Sequence, residues 1–426
     1  MTIKEQETLE SANEVARGGM PLPALLRMFW VGSAVSFALM VLVGYVEYRM
    51  GFSSFHYNPL GGARYEDLME FPPVFRLVHT AAFFDGVVGG PRVAYPPLGA
   101  VIYALIYGTG HAIGFYVGTT AVWLAACVYG VRRELMKQGI DGMTATLFPL
   151  TVVLASFPIA GLLVRGNIEL FLWIIAALGT WAFLRGREDA AAVLWGLAAA
   201  AKLYPVIFLV LLLPRRKWRA FAVGVMTFVG ATLLAMAWLG PSMGIVWKGS
   251  LRNVFGYQGV RVSQWSLHEL MANHSVFGLA KLMAMVTHAP LAKLTLPYYA
   301  CGAVVMGVAF FGRLWKMPVA NQLLAVTAFM VMLPPVSYFY TLVHLYAPLL
   351  VLMFVAIRAE RAGVQVVGLR LTTLLFVPLL ATFMLFSFPR VLLFGGLIQG
   401  AMLVWLFICA LQFPFDVDGT SGLAEV

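Results

Sequence analysis

Charge is scarce in this sequence. Only 11% of its 426 residues are Asp, Glu, Lys or Arg, against 61% hydrophobic, and the mean hydropathy is +0.86. A soluble domain carries roughly 25% charged residues, so a water-soluble globular fold is excluded. Cysteine is scarcer still. Cys127, Cys301 and Cys409 all sit inside apolar segments, with neither a pairing pattern nor ligand spacing, which argues against a disulfide framework and a zinc site. Glycine-rich phosphate loops are missing. No Asp-x-Asp pair occurs in the outer segments mapped below, and Asp416-Val417-Asp418 lies in the C-terminal tail. No convincing internal repeat is found, and acids are essentially missing from the apolar runs of the second half. Both absences argue against a transporter or lipid flippase with a polar path across the membrane.

What remains is a series of apolar runs, each long enough for a hydrocarbon core that takes about 20 helical residues to cross. The first, Met28 to Val46, follows a polar stretch of mixed charge and precedes no small-residue cleavage site. It is therefore read as a retained membrane helix and not a signal peptide. Basic clusters punctuate the runs at 132–137, 185–187, 215–219, 313–316 and 358–361, and the net charge is +10. Positive-inside topology accounts for that charge, and no nucleic-acid partner is expected. With every cluster in the cytoplasm, the spans fall near 27–46, 111–131, 144–164, 167–184, 189–201, 203–214, 219–239, 294–312, 318–335, 338–357, 371–388 and 391–412. That predicts an all-α polytopic membrane protein with twelve crossings. A single membrane domain, 25–412, lies between cytoplasmic tails at 1–24 and 413–426.

Two runs need separate treatment. Tyr95 to Gly108 is apolar, but a crossing there would turn the 132–137 cluster outward, so a short interfacial helix is predicted. Ala190 to Pro214 has basic residues at both ends, which predicts a hairpin of two short spans bent at Lys202-Leu203-Tyr204-Pro205. Proline-broken helices are tolerated where protein or a water-filled cavity covers the freed backbone. The outer face then holds two long loops, 47–110 and 240–293, together with Arg165, Lys202 and Pro334–Ser337. Loops of that length without structure of their own are usually functional. Function is expected on the outer face.

At these positions the chain resembles the GT-C superfamily of membrane glycosyltransferases, and most closely glycosyltransferase family 87, the polyprenyl-phosphomannose-dependent mannosyltransferase group. The matching residues are Asp67 in the first outer loop, "AYPPL" at 94–98, "RGNIE" at 165–169, "AAAAKLYPVIFLVLLLPRRKWRA" at 198–220, "SQWSL" at 263–267 and "PPVSYFYTLVH" at 334–344. Three segments depart from the family pattern. Arg165-Gly166-Asn167 stands for Gly-Gln-x-Asn, Ser263-Gln264-Trp265-Ser266 for Asn-Gln-Ser-Leu, and a lone His344 for a paired histidine.

The resemblance implies a GT-C fold and inverting transfer of a sugar, most readily mannose, from a polyprenyl phosphate to a glycan or glycolipid hydroxyl. It places the reaction on the outer face of the plasma membrane. An alcohol needs a base as bonding develops, and the departing lipid phosphate needs fixed cations. The outer acids are Glu47, Glu66, Asp67, Glu70, Asp85, Glu169 and Glu269. The family's aspartate after the first span makes Asp67 the candidate base, with Glu66 and Glu70 as rivals. Lys202, within an apolar hairpin, is the first candidate for phosphate, against a snorkelling role. Arg165, His344 and Arg261 join it; a packing role for His344 and headgroup contact for Arg261 stand as alternatives. Asn167, Glu169, Tyr204 and Gln264 are candidates for sugar hydroxyls, although Glu169, four residues after Arg165, would equally well neutralise it. Tyr95, Trp265, Tyr338 and Tyr340 suit a sugar face or the membrane interface. No cofactor or metal is expected. The partners are the lipid-linked donor, the acceptor and membrane lipids.

Overall fold

The computed structural model describes residues 21–49, 65–85, 93–263, 273–288, 290–381 and 395–417. These residues form an all-α membrane protein, with no strand among them. In chain order the helices are α1 (Ala24–Arg49), α2 (Glu66–Glu70), α3 (Pro72–Phe75), α4 (Pro97–Gly108), α5 (Ala112–Lys137), α6 (Gly142–Leu154), α7 (Phe157–Arg165), α8 (Glu169–Leu184) and α9 (Glu188–Ala201). Then follow α10 (Trp218–Leu239), α11 (Met243–Ser263), α12 (Phe277–Thr287), α13 (Leu291–Gly312), α14 (Val319–Met332), α15 (Tyr346–Ala362), α16 (Leu369–Ala381) and α17 (Gly395–Gln412). Tighter 3-10 turns occupy Ala81–Phe84, Tyr204–Leu212 and Phe339–Leu345.

Among the described residues, five stretches are long and apolar enough to cross a bilayer: Ala112–Lys137, Trp218–Leu239, Lys293–Lys316, Phe339–Ala362 and Gly395–Gln412. The predicted span at 144–164 is instead two helices, α6 and α7, bent by 53° and together able to make one further crossing. Its break has a local cause. The Ser156 hydroxyl accepts the Ile159 N–H at 3.1 Å, capping a new helix, and Pro158 occupies its first turn.

Small residues set the closest helix contacts. A Cβ on Gly196 of α9 would stand 2.5 Å from the Gly224 carbonyl oxygen of α10, and one on Gly99 of α4 would stand 2.6 Å from that of Ala201. Apolar solvent gives helices no hydrophobic push toward one another, so close backbone approach of this kind supplies the packing. The alanine run 198–201 is buried throughout. Helix α9 then stops at Lys202, whose backbone is extended (φ −155°, ψ 131°). The chain breaks where Pro205 predicts a bend, but the second arm is a 3-10 run.

The two long segments at 47–110 and 240–293 also carry more structure than their sequences advertise. Among its described residues, the 240–293 segment contains α11 and α12. Helix α11 is tied to the 47–110 segment: Asn253 Nδ2 donates to the Phe84 carbonyl at 2.8 Å, and Arg252 pairs with Asp85 at 2.7 Å. Residues 273–276 clasp the turn ahead of Phe339. Asn273 Oδ1 accepts the Ser337 N–H at 2.9 Å, its Nδ2 donates to the Pro335 carbonyl at 2.9 Å, and the His274 N–H donates to the Ser337 carbonyl at 3.0 Å. The Ser337 hydroxyl gives its proton to the Val331 carbonyl at 2.6 Å. It is then left to accept from His274 Nε2, 3.0 Å away. His274 Nδ1 is buried and has no hydrogen-bond partner among the described residues, so a second proton has nowhere to go, and burial pushes the imidazole down to about 3.

Two measurements test this packing. Gly196→Leu is expected to cost about 1–3 kcal/mol by overpacking and to lower the melting temperature of the purified protein. Gly230→Ala, where nothing lies within 4 Å, should melt no lower than wild type, since alanine is the better helix former; equal melting of all three proteins would remove the close-packing account. For His274, the unfolded chain binds the proton more readily than the fold. The clasp is whole above the ordinary value of 6.5 and is lost as pH falls toward about 3, at up to ~1.4 kcal/mol per pH unit. Melting followed from neutral to mildly acidic pH should fall less steeply in His274→Asn, and parallel slopes would contradict the clasp.

Candidate active site

The short helix α2 begins at Tyr65, which takes a left-handed conformation (φ 46°, ψ 45°), and Pro72 and Pro73 follow directly in α3. Asp67 and Leu68 turn inward and are buried, whereas Met69 and Glu70 are exposed. Leu68 lies against Gly166, where a Cβ would meet its side chain at 3.0 Å. Gly166 itself has φ +64°, a conformation that favours glycine. It ends α7 and swings the chain so that the residues on either side of it reach Asp67. Arg165 Nη2 lies 3.0 Å from Asp67 Oδ1, and Asn167 Nδ2 donates to Oδ2.

Asn167 is fully engaged. Its Oδ1 accepts the Glu169 N–H at 2.9 Å, and its amide nitrogen lies 3.4 Å from the Tyr95 hydroxyl. Behind it stand Tyr103, whose hydroxyl accepts the Ile168 N–H at 3.1 Å, and Tyr107, which donates to the Leu68 carbonyl at 2.9 Å. The Tyr116 hydroxyl is 3.0 Å from the Asn167 carbonyl.

Two residues further on, Glu169 opens α8 and gathers a second group. Its Oε2 is 2.6 Å from Lys202 Nζ, its Oε1 is 2.6 Å from His344 Nε2, and the Tyr204 hydroxyl donates to Oε1. The Lys202 ammonium also lies 5.4 Å from the Tyr204 ring centre and 5.8 Å from that of Tyr340, within cation–π reach.

Exposure separates the two signs of charge. The Asp67 and Glu169 side chains are 6% and 0% exposed, and Arg165 and Lys202 are 22% and 23% exposed. Anions form the floor and cations keep an open side.

The predicted residues thus fall into two adjoining clusters. Asp67, Arg165, Asn167 and Tyr95 form one; Glu169, Lys202, Tyr204, His344 and Tyr340 form the other. The expected neutralisation of Arg165 by Glu169 does not occur, because Gly166 interrupts the helix and the four-residue spacing no longer places them on one face. Lys202 is ion-paired with Glu169. Tyr338 precedes the Phe339–Leu345 turn, its ring 6.1 Å from Tyr340. Gln264 and Trp265 lie outside the described residues, as do the side chains of Glu66 and Arg261. Sequence reasoning passed over Tyr103, Tyr107, Tyr116 and His274. The tyrosines at 103 and 107 do carry a signal, since a spacing of four puts them on one face of α4.

Among the described residues, no group of three or more His, Cys, Asp and Glu side chains comes together as a metal site. No curated protein and no solved structure matches the chain. The model of glycosyltransferase family 87 matches residues 94–335. The matched stretch contains Arg165, Asn167, Glu169, Lys202 and Tyr204, begins after Asp67 and ends before His344. A match over more than half the sequence, running through Arg165 and the Glu169–Lys202 ion pair, makes this chain a member of glycosyltransferase family 87.

Proposed function

We propose that the protein transfers a sugar, mannose foremost, from a polyprenyl phosphate to a hydroxyl of a glycan or glycolipid, with inversion at the anomeric carbon. The reaction takes place at the outer face of the plasma membrane, with both chain termini and the basic clusters in the cytoplasm. The observation that carries this reading is the pair of buried carboxylates, Asp67 and Glu169, each neutralised by a cation that keeps an open side.

In this mechanism the donor phosphate binds Arg165 and Lys202, with His344 beside them and Arg261 as a further contact from α11. A guanidinium takes a phosphate bidentately, so the donor competes with Asp67 for Arg165. Asn167 keeps Asp67 oriented. The acceptor hydroxyl attacks the anomeric carbon from the side opposite the phosphate. Its proton passes to Asp67, the bond between that carbon and the phosphate oxygen breaks, and polyprenyl phosphate departs with the electron pair. Arg165 and Lys202 stabilise the charge that develops there. Tyr95, Tyr338, Tyr340 and Trp265 offer ring faces to the sugars and Gln264 a hydrogen-bonding amide. The isoprenoid tail lies along the apolar outward faces of the membrane helices.

Two expected outcomes test the assignment. Purified protein given polyprenyl-phosphate mannose and candidate acceptors should release polyprenyl phosphate, and Asp67→Asn should slow that release by about 10²- to 10⁴-fold while the lipid phosphate still binds. A transporter or scaffold would keep its function in that variant, and undiminished transfer by it would exclude Asp67 as the base. Arg165→Gln removes a charged contact worth about 1.5–3 kcal/mol. It should raise the donor concentration at half-maximal rate by roughly tenfold or more, and an unchanged donor KM would take Arg165 out of phosphate binding.

A further inference from the structure

Glu169 stands among the candidates for sugar hydroxyls on sequence grounds, but its surroundings suit a different task. Its side chain is 0% exposed, so a sugar would reach it only by displacing protein. Both carboxylate oxygens are already taken, Oε2 by Lys202 at 2.6 Å and Oε1 by His344 at 2.6 Å and the Tyr204 hydroxyl. An ionised carboxylate has about four acceptor positions, and three are filled by groups aimed at it.

These partners come from different parts of the fold. Lys202 lies in the extended break after α9, Tyr204 begins the 3-10 run that follows, and His344 comes from the Phe339–Leu345 turn. No covalent neighbour holds Lys202 Nζ near His344. A lysine side chain has a long flexible stem and moves toward water unless it is held. Lys202 is held from below by Glu169 and flanked by the rings of Tyr204 and Tyr340.

We infer that Glu169 is the positioning residue of the donor site, the buried anion that seats Lys202 and His344 for the lipid phosphate without touching either substrate. This rests on the lipid-phosphate reading given above and adds to it the identity of the group that fixes the phosphate ligands. Its position in the first turn of α8 suits the role, since the helix N-terminus stabilises a carboxylate there.

A double-variant cycle on the full-length protein in lipid nanodiscs, with polyprenyl-phosphate mannose as donor, tests it. Glu169→Gln should lower kcat/KM by on the order of 10- to 100-fold, the coupling expected within one charged network, chiefly by raising the donor KM and leaving the acceptor KM in place. The double variant Glu169→Gln/Lys202→Gln should be no slower than Lys202→Gln alone, because Glu169 acts through that lysine. Glu169→Asp keeps the charge but retracts it by one methylene, and it should show an intermediate rise in donor KM even if Glu169→Gln folds poorly. Multiplicative losses in the double variant overturn the inference, as does a wild-type donor KM in Glu169→Asp, or an effect confined to the fraction of active protein. Wild-type protein that moves sugar from no lipid phosphate overturns the functional reading and this one together; an active wild type with multiplicative losses overturns this one alone.

Discussion

Two carboxylates held out of water by two cations organise everything around them. Taking a charge from water into a poorly polarisable interior costs several kcal/mol unless it is paired and hydrogen-bonded. Asp67 and Glu169 meet that condition through Arg165 and Lys202 and through the amide and hydroxyl groups of Asn167 and Tyr204. Both arrangements spring from one stretch of five residues, Arg165 to Glu169. The first and third members face one acid, the fifth is the other acid, and the second is the glycine whose backbone makes the division.

The rest of the fold keeps that stretch in place. Helices α9 and α10 approach to backbone contact through glycine and alanine, so the end of α9 delivers Lys202 from a rigid base. The tyrosines of α4 and α5 grip the backbone from Leu162 to Ile168, so Asn167 has little freedom to turn. On the far side, Asn273 and His274 fasten the turn that carries Tyr338, Tyr340 and His344. Contact between α11 and the 65–85 stretch, through Asn253 and the Phe84 carbonyl, braces the segment that carries Asp67. Polar groups are spent sparingly in this protein, and a large share of the buried ones serve these anchor points.

The all-α membrane character was legible in the sequence, because apolar runs and proline breaks are local signals; against the twelve crossings expected, the described residues hold five stretches long enough to cross and one bent pair. The polar network was legible in part. Asp67, Arg165 and Lys202 stand out as charges beside apolar runs, but their pairing was not readable. Asp67 and Arg165 are 98 residues apart in sequence, and their meeting depends on a left-handed turn at Gly166 that composition does not announce. Helix α11 was hidden for another reason. Its sequence mixes glycines, arginines and aromatics without a clean apolar stripe, so its order comes from docking on the Ala81–Phe84 turn, α10 and α13. His274 gave no signal, since a lone histidine outside a motif looks like any other.

The spacing from Arg165 to Glu169 acts as a ruler. A helix turns by about 100° per residue, so one amino acid inserted ahead of α8 would rotate Glu169 away from Lys202 and send the carboxylate toward a neighbouring helix. Side chains within the stretch have room to change, because a different donor or amide can answer the same acid. Its length has no such latitude. Divergence in this part of the chain should therefore be written in substitutions and not in gaps.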